Sequence, residues 1–204
     1  MSRKKYLKNI VTMFMCCFSL LSSANNSLYE TATFAGGCFW CMEPPFDKIP
    51  GVISTISGFT GGNTENPNYK KVSTGQSGHA EALQVIYDPK KVNYQTLLNT
   101  FWVNIDPTVS NGQFCDQGSQ YRSAIFFHDN NQKKLAEVSL VNLQQSGRFN
   151  TSIKTQIVPA SQFYPAEEHH QNYYKKNYFT YQFYRTLCGR DKRLKFLWGS
   201  LFLD

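Results

Sequence analysis

From about residue 29 the hydrophobic positions alternate between a period of two and a helical period, with polar, glycine-containing segments between them. Residues 29–34, 51–59, 79–87, 121–128 and 153–158 alternate or are rich in Thr, Val, Ile and aromatics, the pattern of strands. Residues 94–105 and 131–145 place apolar side chains three and four apart; Leu135, Val138, Leu140, Val141 and Leu143 give the second segment an apolar face. Residues 38–48 follow a Gly-Gly break and read as a helix, although Pro44-Pro45 is awkward beyond a first turn. Residues 167–176 also read as helical. Two long stretches, 60–78 and 106–120, are polar and Gly/Asn-containing, and loops of that length commonly carry function. From Tyr181 the tail is aromatic and basic with little regular pattern. Strands and helices interleave with hairpin-like strand pairs. The expected architecture is α+β, a ferredoxin-like two-layer α/β sandwich on a split βαβ core, with long loops and an irregular C-terminal tail.

The N-terminus changes how the composition reads. The chain has 204 residues, a formal net charge of +7 and six cysteines. Arg3, Lys4, Lys5 and Lys8 precede an apolar run over residues 10–21, and Ser22-Ser23-Ala24 follows. Basic, then apolar, then small is the order of a secretory signal peptide, and the apolar run is short for a transmembrane helix. The expectation is a signal over residues 1–24 and a single domain over 25–204, periplasmic or secreted. Removing the signal takes four basic residues with it and leaves a charge of +3, which gives no reason to expect a nucleic-acid partner. Cys16 and Cys17 leave as well, so Cys38, Cys41, Cys115 and Cys188 remain.

The chemistry concentrates at residues 35–41, AGGCFWC. Glycines allow a tight turn. They put Cys38 at or near the first position of a helix, where free N–H groups and the helix dipole favour a thiolate, the nucleophilic form. Cys41 lies one turn on and can attack an oxidised Cys38 to close a disulfide. A zinc site needs two more ligands, and Cys115 and Cys188 are not paired in knuckles, so no metal is expected. A purely structural Cys38–Cys41 bridge would be a poor staple, because so short a loop removes little chain entropy.

Residues 36–46, GGCFWCMEPPF, resemble the signature of the A-type peptide methionine sulfoxide reductases. The resemblance runs in family order through GVISTISGFTGG (51–62), NPNY (66–69), GHAEA (78–82), GQF (112–114), GSQYRSAI (118–125), FYPAE (163–167) with His170-Gln171, and Gly189-Arg190-Asp191. It implies reduction of methionine-S-sulfoxide, free or in proteins, to methionine, with oxidative-damage repair as the role. Cys38 would attack the sulfoxide sulfur and become a sulfenic acid. Glu81 would protonate the leaving oxygen, Tyr69 and Tyr121 would donate hydrogen bonds to it, and Asp116 would orient the substrate through water. Phe39 and Trp40 would form the apolar wall for the S-methyl group. Taken singly, Glu81 reads as a solvent-facing strand residue, Asp116 as a turn former, and the aromatics as ordinary packing.

Two resolving cysteines are compatible with this reading. Cys41 has the local CxxC geometry, and Cys188 lies in the C-terminal segment where other members of the family carry resolving thiols. Cys188 stands where Ser or Gly is expected before Gly-Arg-Asp, and Cys115 stands at a position the family does not fix; a Cys115–Cys188 disulfide is a third arrangement. His79, His169 and His170 read as structural or supporting groups. The resemblance implies no metal or organic cofactor, electrons from an external thioredoxin-like dithiol, no stable membrane association after signal removal, and a monomer. The competing reading is an exported dithiol–disulfide exchange protein, which shares the CxxC motif but has no use for Glu81, Tyr69 and Tyr121.

Overall fold

The computed structural model describes residues 28–202; the expected signal segment, with Cys16 and Cys17, lies outside the described residues. Strands β1 (Glu30–Gly36), β2 (Val52–Thr60), β3 (Ala80–Tyr87) and β6 (Ser123–Phe127) form the centre of a sheet ordered β6-β1-β3-β2, each pair antiparallel. With helices α1 (Phe39–Asp47) and α3 (Tyr94–Val103) in the crossovers, this is the expected split βαβ core. Helix α4 (Asn130–Gln145) returns the chain to β7 (Gln156–Pro159), which extends the sheet parallel to β6. The two-residue β8 (Tyr164–Pro165) closes the other edge beside Gly58 and Phe59.

Strand alternation decides what each face receives. Ala32 and Phe34 of β1 with Leu83, Val85 and Tyr87 of β3 point into the main core, against Met42 and Phe46 of α1 and Leu97, Leu98 and Phe101 of α3. The opposite face is lined by Ala35, Ala80, Ala82 and Ala124 with Phe126. Those small side chains let Val158, Ala160 and Phe163 lie close over the sheet. Glu81 falls between Ala80 and Ala82 and therefore points to the helical layer, beneath the start of α1. It is fully buried, not the solvent-facing residue its isolated position suggests.

The two long loops carry short structure. Residues 60–78 contain α2 (Tyr69–Ser73), capped by Asn68, whose side chain accepts from the Lys71 N–H. Residues 106–120 contain a tight hairpin of β4 (Gly112–Gln113) and β5 (Asp116–Gln117), then a 3₁₀ turn at Ser119–Tyr121. The helix expected over 167–176 is broken into a 3₁₀ turn at Glu168–His170 and α5 (Tyr173–Lys176). Tertiary contacts cause the break: the Gln171 amide bridges Ser57 N, Ser57 O and Ala166 O, and Asn172, at φ 53°, donates its N–H to buried Glu43.

The C-terminal tail is not irregular. It forms α6 (Tyr178–Leu187) and α7 (Arg190–Trp198), separated at Gly189 in the left-handed conformation. The usual pattern is inverted in α6: Phe179, Phe183 and Leu187, four apart, face outward, while Tyr181, Tyr184 and Arg185 face the molecule. No inside-apolar stripe marks the helix in sequence. Helix α7 is held by Leu194, Leu197 and Trp198 in the main core. No helix among the described residues is long and apolar enough to cross a membrane.

Candidate functional site

Strand β1 ends at Gly36-Gly37, and both glycines are sterically required. A Cβ on Gly36 would lie 2.6 Å from the Met42 sulfur; Gly37 has φ +82° and its Cβ would meet Gln113. The turn makes Cys38 the N-cap of α1, its carbonyl receiving the Cys41 and Met42 N–H groups. Buried Arg190, at the start of α7, braces the turn by donating to Gly36 O at 3.2 Å and Asn104 O at 2.6 Å. Its guanidinium also stacks on Phe114, 4.4 Å from the ring centre.

Cys38, Phe39, Trp40, Tyr69, Glu81, Asp116, Tyr121 and Tyr184 line one cavity of about 60 Å³. Seven of these are the catalytic and substrate-contacting residues named from sequence; Tyr184 is the addition. Cys41 is buried directly behind Cys38, on the side of Tyr181. A far larger groove, about 920 Å³, runs between Pro44, Tyr174, Tyr178 and Leu201, but no cysteine lines it. The catalytic and substrate-contacting residues named from sequence thus line the small cavity and not the groove.

The Glu81 Oε2 accepts the Phe39 N–H at 3.1 Å. Burial, with a smaller push from Asp116, raises its pKa to about 8, so the carboxyl is protonated at neutral pH and can donate. Tyr69 comes from the first turn of α2, whose N–H donates to Glu167 Oε1 at 3.1 Å. Burial and the Glu81 charge push its phenol up to about 12. Burial raises Tyr121 likewise. Both tyrosines are hydrogen-bond donors that stay neutral. Asp116, raised by burial, accepts the Tyr184 hydroxyl at 2.6 Å.

The cysteine pair departs from expectation. Cys38 is 5% and Cys41 1% exposed, and both are free thiols. Burial outweighs the helix N-terminus at Cys38: it pushes the thiol up, and Cys41, Glu81 and Asp116 push the same way. Cys41 is lowered to about 6, chiefly by the hydrogen bond from Cys38, with Arg190 and Arg185 assisting. The positive charges of Arg190 and Arg185 act on Cys41, and the carboxyls of Glu81 and Asp116 act against a charge on Cys38.

Trp40 is fixed on three sides. Its indole N–H donates to His170 Nδ1 at 3.2 Å, Tyr173 stacks on it at 3.8 Å and 9°, and Tyr184 meets it edge-on. His170 is thus a support for the wall, with its acceptor nitrogen already engaged. His79 is structural as expected: Nδ1 accepts from Gly62 N–H, so Nε2 carries the proton and donates to Thr64 O at 2.8 Å, pinning the loop that carries Tyr69. His169 lies tilted against His170, the ring centres 4.1 Å apart.

Cys188 is not free in this structure. It forms a disulfide with Cys115, on the outer side of the Asp116 hairpin. Sequence reading missed Tyr184 because no motif marks it; its one signal was its place a helical turn before Cys188.

The family model for peptide methionine sulfoxide reductase matches residues 30–201. A Bacillus licheniformis protein described as peptide methionine sulfoxide reductase MsrA is 52% identical over 170 residues, 83% of this chain and 94% of the relative. The crystal structure of reduced Mxr1 from Saccharomyces cerevisiae superposes with a TM-score of 0.68 at 35% identity, covering 75% of this chain and 88% of that one. Mxr1 in complex with Trx2 is similar too, with a TM-score of 0.50 at 27% identity over 73% of this chain and 87% of that one.

Proposed function

The chain belongs to the peptide methionine sulfoxide reductase family, and on that premise we propose how its residues reduce methionine sulfoxide to methionine. The observation that carries the assignment is the convergence of Cys38, Glu81, Tyr69 and Tyr121 on one cavity sized for the tip of a side chain. The S-methyl group packs on Phe39 and Trp40, which leaves the sulfoxide oxygen toward Glu81 and the two phenols. Asp116, held by Tyr184, orients the substrate from the open side.

In the first half-reaction the Cys38 sulfur attacks the sulfoxide sulfur as Glu81 gives its proton to the oxygen. The sulfur–oxygen bond breaks, the hydroxyl passes to Cys38 as sulfenic acid, and methionine departs. The proton lost by the Cys38 thiol returns to Glu81, so the carboxyl is restored. Two neutral phenols bonded to the oxygen stabilise the charge that builds there before protonation is complete. Cys41 then attacks the sulfenic sulfur, forms the Cys38–Cys41 disulfide and releases water. We assign Cys41 as resolver because it is free and adjacent, while Cys188 is occupied by Cys115. An external dithiol of thioredoxin type supplies two electrons and two protons to reopen the disulfide, a partner class supported by the Mxr1–Trx2 likeness.

The proposal extends to location and selectivity: residues 1–24 act as an export signal for a monomeric domain over 25–204, and the pocket takes the S epimer. One experiment covers both. The full chain is expressed in an exporting bacterial host, and the recovered protein, expected to begin at Asn25, is incubated with each sulfoxide epimer and dithiothreitol. Methionine formed from the S epimer alone supports the reading. No methionine from either epimer overturns it, and a retained residue 1 overturns the cleaved signal.

A further inference from the structure

The Cys115–Cys188 disulfide brackets two residues of the pocket. Cys115 immediately precedes Asp116, and Cys188 follows Tyr184 by one turn of α6, its N–H bonded to the Tyr184 carbonyl. Asp116 and Tyr184 are the pair joined by the 2.6 Å hydrogen bond on the cavity wall. The bracket is doubled by the Cys115 N–H, which donates to the Cys188 sulfur at 3.2 Å.

Apart from this bridge and the Tyr184–Asp116 hydrogen bond, the Asp116 hairpin and α6 are held by separate contacts. Phe114 at the hairpin tip has φ 57°, and the hairpin pairs only two residues on each side. Helix α6 leans on Cys41 and Trp40 through Tyr181, Tyr184 and Arg185, and among the described residues its outer face, Phe179, Phe183 and Leu187, is exposed. The Arg190 stack on Phe114 gives the corner after α6 a second anchor besides the sulfurs. What the bridge adds is register between Tyr184 and Asp116.

We propose that the Cys115–Cys188 disulfide is a strap that positions Tyr184 and Asp116 as the outer wall of the substrate pocket, so that opening it weakens substrate binding. This rests on the reading of the cavity as the sulfoxide site. The strap is suited to a redox response because it lies at the surface, with Cys115 exposed, whereas the catalytic pair lies inside. A dithiol reductant opens it by ordinary exchange: the reductant's two thiols become its disulfide, and Cys115 and Cys188 each gain a proton. A reducing environment would then loosen the pocket, and an oxidising one would tighten it.

The test uses the Cys38→Ser/Cys41→Ser chain, which cannot turn over and keeps Cys115–Cys188 as its disulfide. Binding of N-acetyl-methionine-S-sulfoxide amide is measured by calorimetry before and after reduction with a phosphine. The expected result is a loss of affinity of about tenfold on reduction. Adding Cys115→Ser and Cys188→Ser should fix the weak affinity in both conditions, and Tyr184→Phe should weaken binding with the disulfide intact. Equal affinity before and after reduction overturns the strap. So does a Cys115→Ser/Cys188→Ser chain that binds normally but loses turnover only with a protein dithiol, since the bridge would then be an electron relay. Absence of binding in every state, with an inactive wild type, sinks the pocket assignment instead.

Discussion

The two cysteine pairs among the described residues are built on opposite principles. Cys38 and Cys41 lie one helical turn apart, buried and reduced, and the environment around them is set for chemistry: carboxyls before one sulfur, guanidiniums behind the other. Cys115 and Cys188 lie 73 residues apart, nearer the surface and oxidised, and they join a hairpin to a helix end. A bridge across one helical turn constrains almost nothing, so the inner pair is free to cycle. A bridge across 73 residues removes much of the unfolded chain's freedom. Loop length and burial, rather than residue type, separate the inner pair from the outer one.

That contrast breaks most visibly at Cys38. Cys38→Ser should abolish methionine formation entirely, because no other thiol lines the cavity. Cys41→Ser should instead give a burst of one methionine per chain and then stall as sulfenic acid, which a dimedone label followed by mass spectrometry detects. A Cys41→Ser chain that cycles at the wild-type rate with a protein dithiol would make Cys188 the resolver and collapse the distinction between the pairs.

A smaller effect is expected at the acid. Glu81→Gln should slow the first half-reaction by about 10²–10⁴-fold. The pKa of Glu81 is raised to about 8, and its acting form is the protonated one. Single-turnover rates should therefore hold below pH 8 and fall above it as Glu81 ionises, and Glu81→Gln should lack that decline. A wild-type rate that climbs through pH 8 would remove Glu81 from the acid's role.

The outer pair should matter least for chemistry and most for stability. Breaking it with Cys115→Ser/Cys188→Ser should cost up to about 4 kcal/mol by the chain-entropy relation for a loop of this length. Thermal melts under oxidising conditions measure this. A melting temperature unchanged by the double substitution would show that Arg190 and the core of α7 hold the corner unaided.

Local signals carried the inner site well. Gly36-Gly37 before Cys38 and the CxxC spacing are short-range facts, and each had the structural consequence expected of it, a turn into α1 and two cysteines one turn apart. What acts on the Cys38 thiol beyond the helix N-terminus is contained in no local pattern: Glu81, Asp116 and burial, which push it up, arrive from β3, the 106–120 segment and the core packing. Helix α6 escaped notice because its apolar residues face outward, and the helix over 167–176 was broken by Ser57 and Glu43, more than a hundred residues away in sequence.

By itself, then, the sequence determined the split βαβ order and the placing of Cys38 and Cys41 one turn apart behind a glycine turn, because strand alternation, glycine turns and one-turn spacing act over a few residues; the residues expected around the sulfur were named only through the family resemblance. Only the tertiary structure decided that Glu81 is buried and protonated, that Tyr184 completes the wall, that charge rests behind Cys41, and that Cys188 meets Cys115. Those outcomes depend on which distant segments share a volume too small for water, and desolvation and side-chain pairing across that volume are properties of the folded chain.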